Sequence, residues 1–143
     1  MFVLNDQIGF NIYRVALLFR RELIRALKAY DLTPEQWQIL AALWEKRALT
    51  QSQIIELTLQ DAPSASRTVA RMQRKKFINK TPSETDKRAS IVTLTKHGVS
   101  LHEIIPKTLS DHFNEILKDI PKTDQQSLIR ILKDFRLVFG DKL

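Results

Sequence analysis

The sequence predicts a mainly α-helical chain that carries one small β-hairpin. Two observations predict this. Apolar residues recur at spacings of three and four over most of the 143 residues, the period of one buried helix face. Only residues 77–95 change to short β-compatible runs bounded by a polar loop.

The first helix is marked by Ile8, Ile12, Val15, Phe19, Leu23, Leu27 and Tyr30. A second starts at Thr33-Pro34-Glu35-Gln36 and repeats the pattern with Trp37, Leu40, Ala41 and Trp44. Its start is a capping box, in which the Thr hydroxyl takes the amide three residues on and the Gln side chain returns to the Thr amide. Pro34 suits the first helical position. The same signal at Thr50 to Gln53 opens a short third helix that turns Ile54, Ile55 and Leu57 inward. Asp61-Ala62-Pro63 punctuates, and a fourth helix runs to about Lys75, so the third and fourth form a helix-turn-helix. Phe77–Thr81 and Ser90–Thr95 read as the hairpin, joined by a loop containing Pro82 and Asp86. The helical period returns in Leu101, Ile104, Ile105, Leu109, Phe113, Ile116 and Leu117, where Pro106 is expected to bend the helix or delay its regular part. A third capping box is expected at Thr123 to Gln126, ahead of Leu128, Ile131, Leu132, Phe135, Val138 and Phe139. The order is therefore α, α, α, α, hairpin, α, α, with the helix-turn-helix directly before the hairpin.

Composition removes several classes of function. The chain has no cysteine, so disulfides, thiolate metal sites, cysteine catalysis and thiol redox switches are excluded by inventory. No apolar run approaches a membrane span and no cleavable signal is visible, so a cytoplasmic location without a membrane partner is expected. The net charge is +7, and residues 62–96 hold nine of the 23 Lys and Arg against two of the 16 acids. That surplus equals the whole net charge, and a field concentrated in this way attracts a polyanion.

Within the basic window, Ala65, Val69 and Met72 form the apolar stripe of the fourth helix. Ser64, Ser66, Arg67, Thr68, Arg71, Arg74 and Lys75 are left for its open face or flanks. Small hydroxyls allow close approach to a DNA major groove, and guanidinium forks grip guanine edges or phosphates. The helix's N-terminal amides are expected to favour a phosphate. On the hairpin, Asp86 and Arg88 lie two apart, where a carboxylate can hold a guanidinium ready for a narrow minor groove. Lys87 would face a phosphate, and Asp86 organises without binding.

The segments LTPEQW (32–37), LTQSQIIELT (49–58), SRTVARM (66–72) and DKRASIVTLTKHG (86–98) resemble the MarR family of winged helix-turn-helix bacterial transcription regulators over essentially the whole chain. The family's wing typically reads Asp, a basic residue, Arg, several β-formers, then Leu-Thr-x-x-Gly. The resemblance implies that Arg88 is the wing arginine, Asp86 its support, and Arg67 and Arg71 the recognition-helix arginines. It also implies a homodimer that binds palindromic double-stranded operators, most simply as a repressor. Many such proteins release DNA when a small phenolic or other anionic effector binds between the dimer helices and the DNA-binding lobe. Lys76 stands where a Gly usually closes the recognition helix, and Pro106 is a less usual residue after the wing.

On this reading residues 33–96 form the DNA-binding lobe, and 1–32 with 97–143 a helical dimerisation region. Phe113, Ile116, Leu117, Leu128, Ile131, Leu132, Phe135 and Phe139 are expected at or near the dimer interface, with intramolecular packing as the alternative for each. Tyr13, Arg14, Trp37 and Trp44 are the candidates for an effector pocket where the first, second and fifth helices meet. No enzyme is expected, because His97, His102 and His112 lack the H-E-x-x-H type of spacing and no catalytic motif or cofactor signal is present. The rival readings are a zinc-responsive regulator and a winged-helix protein-interaction module that does not bind DNA.

Overall fold

The structure is a computed structural model that describes residues 1–86 and 89–143. Lys87 and Arg88, the predicted phosphate and minor-groove contacts of the wing, lie outside the described residues.

Helix α1 (Ile8–Leu27) ends in a 3-10 turn, Lys28–Tyr30, and a left-handed Asp31 at φ 55°. Helix α2 (Pro34–Lys46) then begins at the predicted capping box: Gln36 N donates to Thr33 Oγ1, and Thr33 N to Gln36 Oε1, both at 3.2 Å. Its innermost residues are Gln36, Ile39, Leu40 and Leu43. The expected stripe through Trp37, Ala41 and Trp44 is rotated by one residue, about 100° of helix, and these three are half-buried. Trp37 and Trp44 instead pack edge to face, 5.5 Å apart.

A strand that the sequence pattern does not reveal follows, β1 (Ala48–Thr50), too short to show alternation. It pairs with β3 (Ser90–Leu94), which pairs on its other side with β2 (Ile78–Pro82), so the sheet order is β1-β3-β2 and both pairings are antiparallel. Leu49 sits opposite Val92 and Ile78 opposite Leu94, which turns Leu49, Ile78 and Val92 into the core. The hairpin is therefore braced by a strand from the start of the helix-turn-helix.

Helix α3 (Gln51–Thr58) has the second capping box, with Gln53 N on Thr50 Oγ1 at 3.2 Å and Thr50 N on Gln53 Oε1 at 2.8 Å. A left-handed Leu59 turns the chain into α4 (Ala62–Arg74). Helix α4 closes with Lys76 at φ 63°, Phe77 N bonded to Met72 O and Lys76 N to Gln73 O. This is the Schellman turn for which glycine is preferred, formed here by a lysine.

Helix α5 (Lys96–Ser100) is capped by Thr95, whose hydroxyl accepts the Gly98 amide at 3.1 Å. Gly98 is required by packing: a Cβ there would stand 2.3 Å from the Phe77 carbonyl oxygen. A 3-10 turn over Leu101–Glu103 leads to α6 (Ile105–Ile116). Pro106 lies in the first turn of α6, so it starts a new helix in place of the expected bend within one. The third capping box does not form. Helix α7 (Lys122–Val138) starts after an extended Pro121, which leaves Thr123 inside its first turn. Gln125 Nε2 bonds instead to the carbonyls of Leu117 and Ile120, tying α7 to the end of α6.

The buried apolar core runs from Leu27 to Leu109 and joins α2, α3, α4, the sheet, Leu101 and Ile105. Helix α1 supplies only Leu27 to it, and no residue of α7 is buried.

A candidate nucleic-acid interface

Helix α4 is organised by angle. At about 100° per residue, positions two apart face roughly opposite ways. The buried stripe Ala65, Val69 and Met72 therefore places Arg67, Arg71 and Arg74 on the opposite side, and all three arginines are exposed. Among the described residues, the side chains of Arg71 and Arg74 form no hydrogen bond or ion pair. Arg67 Nη2 donates to Ser64 Oγ at 3.1 Å. Ser66 is also exposed and accepts a bond from Gln51 Nε2 at 3.2 Å, which joins the starts of α3 and α4.

The remaining predicted contacts lie on one flank, and the structure moves them off the open face. Ser64, Thr68 and Lys75 share a line at i, i+4 and i+11, beside the buried stripe. Thr68 is buried, and its hydroxyl bonds to Ser64 O at 3.0 Å and to Gln60 Oε1 at 3.3 Å. Lys75 Nζ donates to Asp31 O at 2.7 Å and to Gln36 Oε1 at 3.3 Å, turned toward the α1–α2 corner. Ser64 is half-buried and bonded to Asp61. Counting every polar side chain of α4 as available for the groove overlooks that the flank of an amphipathic helix meets its neighbours.

The start of α4 also departs from expectation. Asp61 is its cap: the carboxylate accepts Ser64 N at 2.7 Å and Ser64 Oγ at 3.0 Å. Those two bonds, with attraction from Arg67, hold its pKa below the ordinary carboxylate value. An amide expected to favour a phosphate already holds a carboxylate. Asp61 and Gln51 escape the sequence reading as site residues, although Asp two residues before Pro63 is a legible capping signal.

The wing loop is held from within. Ser83 is nearly buried; its hydroxyl accepts the amides of Thr85 and Asp86, each at 3.3 Å, and its own amide bonds to Ala89 O at 2.9 Å. Asp86 O accepts the Ala89 amide at 3.0 Å. The predicted pairing of Asp86 with Arg88 falls outside the described residues.

The site is thus an exposed arginine row on the second of two helices, beside a sheet-braced hairpin. A profile of the MarR family matches residues 30–89. The transcriptional activatory protein BadR of Rhodopseudomonas palustris is 27% identical over 126 residues, 85% of this chain and 71% of BadR. The chain is similar to the MarR family over these residues. Two solved structures share its fold almost end to end. A probable transcriptional regulator from Pseudomonas aeruginosa is 25% identical, with TM-score 0.83 over 93% of this chain and 99% of that one. A mutant MarR from E. coli complexed with operator DNA is 23% identical, with TM-score 0.82 over 94% and 99%. MarR-family proteins are transcription regulators, not enzymes.

The outer helices of this chain leave much apolar surface open. Ile8, Ile12, Val15 and Phe19 of α1 and Leu128 and Ile131 of α7 are all at least 40% exposed. Of the eight residues expected at a dimer interface, Ile116, Leu128, Ile131 and Phe139 are exposed, while Phe113, Leu117, Leu132 and Phe135 are half-buried. Phe113 stacks on Phe19 at 5.5 Å, so part of its surface packs within the chain.

The four effector candidates do not converge on one space. Trp44 lines a groove of about 350 Å³ with Arg47, Leu94, Val99 and His102, and its indole N–H is fixed to Gly98 O at 2.9 Å. Tyr13, Arg14 and Trp37 are not among its walls. A second, larger cavity of about 780 Å³ lies between Ile12, Leu59, Leu132, Phe135 and Phe139. The histidines go to separate partners: His97 stacks on Phe77, His102 on Trp44, and His112 meets Glu22 at 3.3 Å. Among the described residues, no three metal-ligating side chains come together.

Proposed function

We propose that this chain is a MarR-family regulator that reads an inverted-repeat operator as a homodimer, with α4 in the major groove and the wing against the minor groove. The observation that carries the reading is the exposed row Arg67, Arg71 and Arg74, set opposite the buried stripe of α4 and in the window that holds the chain's whole net charge. Among the described residues Arg71 and Arg74 are unspent cations, and Arg67 is steadied by Ser64. Such groups exchange condensed counterions for phosphate contacts or fork onto guanine. Arg88 and Lys87 act from the hairpin and Asp86 holds Arg88 ready, on the strength of the D-x-R spacing.

Dimerisation follows from the outer helices. Burying a Leu, Ile or Phe side chain contributes about 1.5–3 kcal/mol, and the open faces of α1, α6 and α7 hold many of them. A two-fold partner covers those faces and presents two α4 helices about one DNA turn apart. Residues 33–96 serve as the reading lobe, with 1–32 and 97–143 outside it, although Leu101, Ile105 and Leu109 share its core. E. coli MarR has been seen with operator DNA, and BadR is an activatory protein. Repression is our reading for this chain, and where its operator lies relative to a promoter decides it.

A small anionic aromatic effector is assigned to the Trp44 groove, where the side chains of Arg47 and His102 have no hydrogen-bonding partner among the described residues. The test is selection of genomic fragments by the purified protein, followed by footprinting. An inverted repeat protected over two half-sites supports the proposal. No duplex binding even at low salt would sink it in favour of a protein-interaction module.

A further inference from the structure

We propose that Lys75 is a positioning residue: it locks the C-terminal end of α4 to the corner where α1 turns into α2, and so fixes the angle at which α4 meets DNA. The inference rests on the reading of α4 as the DNA-facing helix and adds a residue that acts through it without touching the duplex.

The corner is built for this ammonium. Asp31 is left-handed at φ 55°, and its carbonyl accepts from Lys75 Nζ at 2.7 Å while its Oδ1 lies 3.3 Å from the same nitrogen. The third partner is Gln36 Oε1 at 3.3 Å, so each of the three ammonium protons has an acceptor. Gln36 is 2% exposed, and the same oxygen also accepts Thr33 N to complete the capping box of α2. One buried amide oxygen therefore starts α2 and holds α4. At the other end of the stem, Lys75 is the last right-handed residue before the turn at Lys76, its own amide bonded to Arg71 O at 3.0 Å. Rotation of α4 about its axis, or a swing away from α1, must break this cluster. Half-site spacing depends on the angle between α1, which carries open apolar surface for a partner, and α4, which carries the arginines.

The absence of cysteine allows unique labelling. Spin labels on Arg21→Cys in α1 and Gln73→Cys in α4, in dimers diluted with unlabelled chain, report the interhelix distance. The native chain is expected to give a narrow distribution, Lys75→Met a wider one, and Lys75→Arg, which still donates to Asp31 O, a width near native. On duplexes selected by the native protein, Lys75→Met is expected to bind about tenfold more weakly, the weight of a charged hydrogen bond. Its salt dependence stays unchanged, and it loses the preference for native half-site spacing over a site lengthened by a base pair. A native width with a salt slope reduced by about one would make Lys75 a phosphate contact and overturn the proposal. An unchanged width and spacing preference, with only the melting temperature lowered, would reduce it to a structural lysine and overturn it equally. If the native chain selects no duplex, the DNA reading fails, and the distance widths still decide whether the lock exists.

Discussion

At the scale of single residues, backbone geometry makes sharper demands than side-chain chemistry. Gly98 has the Phe77 carbonyl against the space a Cβ would need. Gly98→Ala is expected to cost about 1–3 kcal/mol through forced displacement, read as a lower denaturant midpoint at unchanged m-value. Lys76 presents the opposite case. A left-handed non-glycine residue costs about 1–2 kcal/mol, so Lys76→Gly should stabilise the fold by about 0.5 kcal/mol after the added freedom of the unfolded chain is counted. A loss of stability would mean that the lysine side chain contributes more than its backbone costs. Asp61 and Asp141 both have pKa values held below the ordinary 3.8, by bonds from Ser64 and from Arg136 respectively. Groups depressed in the folded state add stability that is complete above their unfolded pKa and is lost as pH falls through the folded one. Acid unfolding should therefore be shallower in Asp61→Asn, which keeps the cap but cannot titrate, when stability is followed from neutral pH to about pH 3.

At the scale of elements, what the sequence made legible were the signals that act locally. Two Thr-x-x-Gln boxes and the β-compatible runs depend on neighbours a few residues away, and all formed. The box at Thr123 failed because Pro121 and the bonds from Gln125 to α6 set the start of α7 two residues earlier. Strand β1 was invisible because three residues carry no period; its existence depends on β3, more than forty residues away. The flank of α4 differs from expectation for the same reason, since only the folded corner shows that Lys75 has acceptors at Asp31 and Gln36. These differences make a paired prediction. Thr33→Ala should cost about 1 kcal/mol as a lost cap, whereas Thr123→Ala should leave the thermal midpoint almost unmoved.

At the scale of the whole molecule, the core takes in Leu27 of α1 and Ile105 and Leu109 of α6 but no residue of α7, and the chain's surplus charge is gathered in one stretch of its sequence. If the chain pairs and reads an inverted repeat as proposed, Leu128→Asp with Ile131→Asp should give a monomer in sedimentation without unfolding residues 33–96, and operator affinity should fall because each half-site is then bound alone. Arg74→Ala should reduce the slope of log Kd against log salt by about one, with little change in base preference. The sheet has a further consequence. Its middle strand is paired on both sides, but among the described residues β2 leaves one margin of backbone groups unmatched, and four of its five residues are exposed. An open margin of this kind invites copies of the same chain to stack into fibres. Here Pro82 interrupts the run of donors and Lys80 adds like-charge repulsion, so a concentrated preparation should resist seeded polymerisation through this hairpin. Lys80→Val with Pro82→Thr should remove that resistance.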